Sequence, residues 1–198
     1  MDIELECKFI KQNHDLIRKK LKEHGAKLVQ KERLMVRANY DFPDYRLFKE
    51  HKAWVRVRDE GDVVILSYKQ SDDSTLKGMQ AVDLRVDSFE RANDFCLALG
   101  MIKKAYQETK RESWLLGDVQ VELDTWPWLS PYVELEAPNE TSLKNVAKML
   151  GFDIGKALYG SVIPAYQAEY KITAEEMSNW PEYRFDQPMP DWLKRRKI

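Results

Sequence analysis

Glu4, Glu6 and Lys8 stand at alternate positions at the start of the chain, and Glu134 and Glu136 repeat the acidic spacing much later. Arg56 with Arg58, then Lys69, offer the opposite charge in the same kind of setting. Residues two apart in a strand point to one face, so each Glu-x-Glu sets two carboxylates side by side. Carboxylates held that close repel unless a cation sits among them. Hard divalent cations such as Mg²⁺ take oxygen ligands, few of them carboxylates, and keep room for phosphate oxygens and water. Separated Arg and Lys side chains suit a polyanion, because a guanidinium forks onto phosphate oxygens. An acidic wall facing a basic wall would hold a metal–triphosphate complex.

The elements that must carry these residues are strands. Period-two alternation predicts them at about 2–10, 32–41, 52–60, 62–70, 79–87, 106–116, 118–125 and 131–137. On that parity the fifth strand presents Asp83 and Arg85 together. The sixth sets Lys110 and Arg111 on opposite faces. The seventh shows Gln120, Glu122 and Asp124, and the eighth Tyr132, Glu134 and Glu136. Acids gather on the first, seventh and eighth strands, and arginines and lysines on the third, fourth and sixth. Cross-strand charge pairs on a wet sheet face would explain any one strand, but this distribution favours a shared lumen. Helices are expected at about 12–24, 88–99 and 140–150, closed by Gly25, Gly100 and Gly151, with one or two more within 156–178. Many strands, short turns and few helices point to an α+β fold around a closed antiparallel sheet.

Composition limits the alternatives. The chain has 198 residues, 43% hydrophobic and 33% charged, with a net charge of −1. It can build a core, and it has no overall basic field to draw nucleic acid. Two cysteines, Cys7 and Cys96, make no disulfide framework and read as buried thiols in a reducing cytoplasm. Met1 leads straight into a charged strand, so no leader is expected, and no apolar run is long enough to span a bilayer. The three histidines have no metal-ligand spacing, and no GxxxxGK[ST] phosphate loop is present. Trp126-Pro127-Trp128 reads as a hydrophobic plug in preference to a platform for a base. Residues 1–172 read as one domain. Residues 173–198, rich in aromatics and proline, read as an extension packed on it.

Glu4-x-Glu6-x-Lys8 resembles the ExExK signature of the CYTH superfamily, the triphosphate tunnel enzymes. The likeness continues through Tyr40-Asp41, Val55-Arg56-Val57-Arg58, Leu66-Ser67-Tyr68-Lys69, Lys110-Arg111 and Val133-Glu134-Leu135-Glu136, in the family's order. It implies an eight-stranded antiparallel β-barrel with flanking helices. Glu4, Glu6, Glu134 and Glu136, with Asp124, would bind Mg²⁺ or Mn²⁺. Lys8, Arg56, Arg58, Lys69, Arg85 and Arg111 would hold the triphosphate, and Lys8 and Lys69 are the candidate catalytic lysines. Lys8 is either a base whose pKa a nearby metal depresses or a plain phosphate anchor. One departure is the fifth strand, where Asp83 is the single acid in place of the family's Arg-x-Glu-x-Glu.

The resemblance implies an enzyme acting on ATP, thiamine triphosphate or tripolyphosphate, with neither nucleic acid nor membrane as a partner and a homodimer left open. Water attacking the terminal phosphorus would give hydrolysis. A ribose 3′-hydroxyl attacking the α-phosphorus would give cyclic AMP and pyrophosphate, as in class IV adenylyl cyclases. The rival is a non-catalytic polyphosphate- or nucleotide-binding module.

Overall fold

The computed structural model describes residues 2–71 and 74–198, with the backbone alone for Asp2. Eight strands close a barrel: β1 (Asp2–Phe9), β2 (Lys27–Asp41), β3 (Ala53–Asp59), β4 (Val64–Ser71), β5 (Met79–Val86), β6 (Ile102–Leu116), β7 (Val119–Thr125) and β8 (Tyr132–Ala137). Their order is β2-β3-β4-β5-β1-β8-β7-β6, all antiparallel, and pairing of β2 with β6 shuts the ring. Closure removes every free edge of these strands. The ring places β1, β8 and β7 side by side, and β6, β2, β3 and β4 side by side. The acidic and basic strands therefore form two continuous walls.

Outward-facing residues build the core. Cys7, Phe9, Val121, Leu123, Val133 and Leu135 pack beneath two helices, α1 (His14–Glu23) and α4 (Glu140–Met149). These helices contribute Ile17, Leu21, Leu143 and Val146 at helical spacing. The Asn13 side chain caps α1, accepting from the backbone of Asp15 and Leu16, and Asn139 caps α4. On the other side α3 (Phe89–Ala98), capped by Ser88, lays Ala92 and Cys96 over Ala38, Tyr40 and Val57. Both cysteines are buried and free. No helix among the described residues is long and apolar enough to cross a membrane.

Several boundaries differ from the sequence expectation for physical reasons. The second strand begins at Lys27 and not near 32. Its register against β6 shifts between Leu28 and Gln30 and again between Gln30 and Arg33, which erases the period of two there. The sixth strand starts at Ile102, ahead of 106. A six-residue helix, α2 (Arg46–His51), was not foreseen because it has no buried face. It is set by the Asp41 carboxylate, which accepts from the backbone N–H of Phe42, Leu47 and Phe48.

Past residue 150 come a 3₁₀ turn (Ile154–Lys156), α5 (Ile163–Gln167), α6 (Ala174–Ser178), a ninth strand β9 (Glu182–Tyr183) and α7 (Asp191–Lys194). β7 pairs with Lys110–Leu116 of β6, and β9 lies parallel to β6 at Tyr106 and Gln107, beyond that pairing. The C-terminal segment thus pairs directly with a strand of the barrel. Trp126, Tyr166, Tyr170, Tyr183 and Leu193 are buried together under it.

Candidate active site

The lumen is a cavity of about 690 Å³ lined by residues from all eight barrel strands. On the acidic side, Lys8 is 3% exposed and lies between two carboxylates. Its Nζ is 2.8 Å from Glu6 Oε1 and 3.1 Å from Glu134 Oε2, and it also donates to the Gly160 carbonyl. Arg111 forks onto Asp124 at 2.7 and 2.6 Å and reaches Glu134 at 2.9 Å. Lys69 donates to Glu4 at 2.5 Å, with Asp83 at 3.9 Å. Glu136 has no ion pair among the described residues.

The electrostatics follow from these neighbours. Burial pushes the Glu136 carboxyl up to about 7, with Glu4, Glu134 and Glu6 adding repulsion. Burial likewise raises Glu6, against the pull of Lys8. Burial works to raise Glu134 too, but Lys8 and Arg111 together hold it well below the usual carboxylate range. For Lys8, burial is outweighed by Glu134 and Glu6, which drive its ammonium upward. The depression expected of Lys8 depends on a nearby metal; in this arrangement its nearest charges are the carboxylates of Glu6 and Glu134. Lys69 is lowered by burial and by Arg56, with Glu4 opposing.

The basic wall is built differently. Arg37, on β2, is 6% exposed and Arg56 9%. Neither has an ion pair among the described residues. Arg37 Nε and both Nε and Nη2 of Arg56 are buried without a hydrogen-bond partner. Arg37 donates Nη2–H to Thr109 at 2.7 Å and lies 4.8 Å from the Trp126 ring centre. Burial, then Arg58 and Arg111, bring the Arg37 guanidinium down to about 10. Burial, then Arg58 and Arg37, lower Arg56 well below its ordinary value. Arg58 pairs with Glu60, which also faces Arg33 at 3.4 Å, and the Nε atoms of Arg33 and Arg58 lack partners. The guanidiniums crowd one another in the strand register too, with Arg37 opposite Arg58 and Arg33 opposite Arg111.

Of the residues proposed from sequence, Glu4, Glu6, Lys8, Arg56, Arg58, Lys69, Arg111, Glu134 and Glu136 all line this one cavity. Asp124 lies beneath it, 1% exposed and engaged with Arg111. Arg85 is not brought in. It shares the parity of Asp83, but it is exposed and does not line the cavity. Lys110 faces away, its ammonium 5.0 Å from the Phe185 ring centre. The sequence reading missed Arg33, Arg37, Asn39 and Glu60, and set Glu122 on the polar face without giving it a role. The first three alternate along β2 and could have been found by applying to that strand the parity used on the others.

A family model, the CYTH domain, matches residues 2–158. The chain belongs to the CYTH family. Among solved structures, it resembles a protein from Pyrococcus horikoshii at 20% identity and a TM-score of 0.67, covering 82% of this chain and 99% of that one. A candidate adenylate cyclase from Vibrio parahaemolyticus gives 15% identity and a TM-score of 0.70, covering 84% and 98%. A candidate adenylyl cyclase from Hippeastrum, described as having a dominant triphosphatase activity, gives 16% identity and a TM-score of 0.58, covering 85% and 96%. These likenesses show the closed CYTH barrel. No curated protein matches the chain.

Among the described residues no group of three or more His, Cys, Asp or Glu is gathered closely enough to hold a metal as the side chains stand. Lysines lie between the acids in its place. Even so, Glu4, Glu6, Glu134 and Glu136 offer only oxygen donors, and burial, with mutual repulsion adding to it, lifts Glu6 and Glu136. An all-oxygen set under that repulsion fits a hard divalent cation.

Proposed function

We propose that this CYTH protein is a divalent-metal-dependent enzyme that takes a triphosphate group into its lumen and cleaves a phosphoanhydride bond. The observation that carries the reading is the basic wall. Arg37 and Arg56 are buried, crowded by like charge, and have nitrogen atoms aimed at nothing. A guanidinium does not shed its proton in a protein, so the cost is relieved by an anion. A triphosphate supplies several oxygens along a line, which suits arginines spread over β2, β3 and β6. Glu4, Glu6, Glu134 and Glu136 would hold Mg²⁺ or Mn²⁺, which when bound supplies positive charge on the phosphate oxygens opposite the arginines.

Arg33, Arg37, Arg56 and Arg58 would orient the chain of phosphates. They would also stabilise charge that grows on its oxygens as the bond breaks, the dominant contribution in phosphoryl transfer. Arg111, fixed by Asp124, would hold its guanidinium still beside Glu134. Lys8 and Lys69, each held against carboxylates, would stay near the same oxygens. Hydrolysis and cyclisation both use this machinery. The Hippeastrum and Vibrio proteins support phosphoanhydride chemistry without choosing between them. The test is to incubate the protein with Mg²⁺ or Mn²⁺ and tripolyphosphate, ATP or thiamine triphosphate. Orthophosphate release marks a hydrolase, and pyrophosphate with cyclic AMP a cyclase. No turnover of any of the three would sink the reading.

A further inference from the structure

The run of arginines in the lumen ends on a carboxylate. Glu60 lines the cavity from the turn between β3 and β4, with its side chain 15% exposed. One of its oxygens pairs with Arg58 and the other with Arg33. Burial works against its charge, but Arg58, Arg111, Arg33 and Arg56 outweigh burial and hold the carboxyl below its usual range. The turn that carries it is pinned. Glu60 N–H donates to the Val63 carbonyl at 3.0 Å, and Gly61 N–H to Asp59 Oδ1 at 2.8 Å. Gln30 of β2 donates to Asp62 Oδ2 at 2.7 Å. The chain thus keeps an anion of its own at this place in the basic wall.

The two ends of the lumen differ accordingly. Past Arg33 and Arg58 the lining along β2, β6 and β7 is Val29, Gln30, Leu115 and Gln120, with no cation among the described residues. In the other direction, past Arg37 and Arg56, cations continue with Lys52 and Lys104, near Ala174 and Tyr183 of the C-terminal segment. Between the ends, Arg37 and Arg56 have no ion pair among the described residues, whereas Arg33 and Arg58 already meet Glu60. The Nε atoms of Arg33 and Arg58 are still without partners.

We propose that Glu60 is a specificity-determining residue that closes one end of the anion site, so that a phosphate chain must present a free terminal phosphate there and leaves the lumen towards Lys52 and Lys104. This rests on the triphosphate reading above. A phosphate chain is drawn to Arg37 and Arg56, whose charge is unmet. Its last phosphate shares Arg33 and Arg58 through their unpartnered Nε atoms. A group esterified on that phosphate would have to push the carboxylate off two guanidiniums and stand against a lining without a cation. Such an obstacle rejects the wrong ligand without adding a contact to the right one. A triphosphate esterified at one end therefore fits, and one esterified at both ends does not. Added length is tolerated, because it runs out of the other mouth.

The experiment is calorimetry on the full chain, in chelator and again with Mg²⁺. It gives Kd for ATP, for diadenosine triphosphate (the same three phosphates esterified at both ends), and for tripolyphosphate and tetrapolyphosphate. The wild type should bind ATP about tenfold or more tighter than diadenosine triphosphate, and the two inorganic chains within about threefold of each other. Glu60→Ala removes both charge and bulk, and should bring the ratio of ATP to diadenosine triphosphate down to about threefold or less. Glu60→Gln keeps the bulk and removes the charge, so it should lower the same ratio by a smaller factor if the alanine variant does not fold. Equal binding of ATP and diadenosine triphosphate by the wild type would overturn the end stop and leave the triphosphate reading standing. So would a ratio that neither variant moves. Variants that bind both compounds equally more tightly would make Glu60 a competitor for the arginines and not a stop. No binding of any of the four compounds, with or without Mg²⁺, would overturn this inference and the triphosphate reading together.

Discussion

The two walls of the lumen meet their charge in opposite ways. On the acidic side Lys8 lies between Glu6 and Glu134, Lys69 meets Glu4, and Arg111 bridges Asp124 and Glu134. Glu136 and Glu122 are left without an ion pair among the described residues, and a carboxyl can take up a proton. Across the lumen Arg37 and Arg56 have no ion pair among the described residues, like charge and burial outweigh the carboxylates further off, and they cannot neutralise themselves. The acidic wall thus meets most of its charge internally, through Lys8, Lys69 and Arg111. On the proposed reading an anion completes the basic wall. Stability would then reside on one side and binding energy on the other, and substitutions of the same residue type should separate the two.

The largest effect should come from Arg111→Ala. It strips the partner from Asp124, which is 1% exposed, and one of two partners from Glu134. Leaving buried carboxylates uncompensated costs about 3–5 kcal/mol. Urea denaturation in chelator should show that loss. A variant as stable as the wild type would mean that the acidic wall is not held by its internal pairs.

Glu136 sharpens the same contrast through pH. Its carboxyl is raised from 4.5 to about 7 in the folded protein. Below pH 4.5 it is protonated in both states. Between there and about 7 the folded chain keeps a proton that the unfolded chain has lost. Unfolding free energy without metal should therefore fall as pH rises through that window and level off above it. The drop attributable to this group is about 3 kcal/mol at most. Glu136→Gln should flatten it, and so should excess Mg²⁺ on the wild type. Chemical denaturation at pH 5 and pH 8 reads it directly, and a slope that Glu136→Gln leaves unchanged would assign the repulsion elsewhere.

Much of this arrangement was legible in the sequence because alternation fixes which face a residue joins. Glu4, Glu6, Arg56, Arg58, Glu134 and Glu136 reached one lumen on parity alone, and Arg111 was separated from Lys110 in the same way. Parity does not fix height along a strand, which is why Arg85 fell outside the cavity while Asp83 lines it. It also fails where the ladder slips, as it does before Arg33. Glu60 was hidden by its place in a turn, where Gly61 has a φ of 95° and no period exists. The lining from Ala174 to Tyr183 was invisible for a deeper reason. Short helices and a two-residue strand carry no periodic signal, and only tertiary contact shows that the segment pairs with β6.

Arg56→Ala should have the smallest effect on the empty protein and is the most direct test of the basic wall. Arg56 is buried beside Arg58 and Arg37, and two of its nitrogens have no partner. Its removal relieves repulsion and desolvation while leaving no carboxylate stranded. Stability without ligand should hold or rise by about 1 kcal/mol, in contrast with the loss at Arg111. The cost should appear only when an anion is added. Tripolyphosphate at about a hundred times its Kd should stabilise the wild type by about 2.7 kcal/mol. The variant, lacking a charge-assisted contact worth about 1.5–3 kcal/mol, should bind about ten to a hundred times more weakly and lose about half or more of that protection at the same concentration. Thermal melts of both proteins with and without tripolyphosphate make the comparison. A variant that melts early when empty, yet is still fully protected by the anion, would show that Arg56 supports the barrel and that the phosphate grip lies elsewhere.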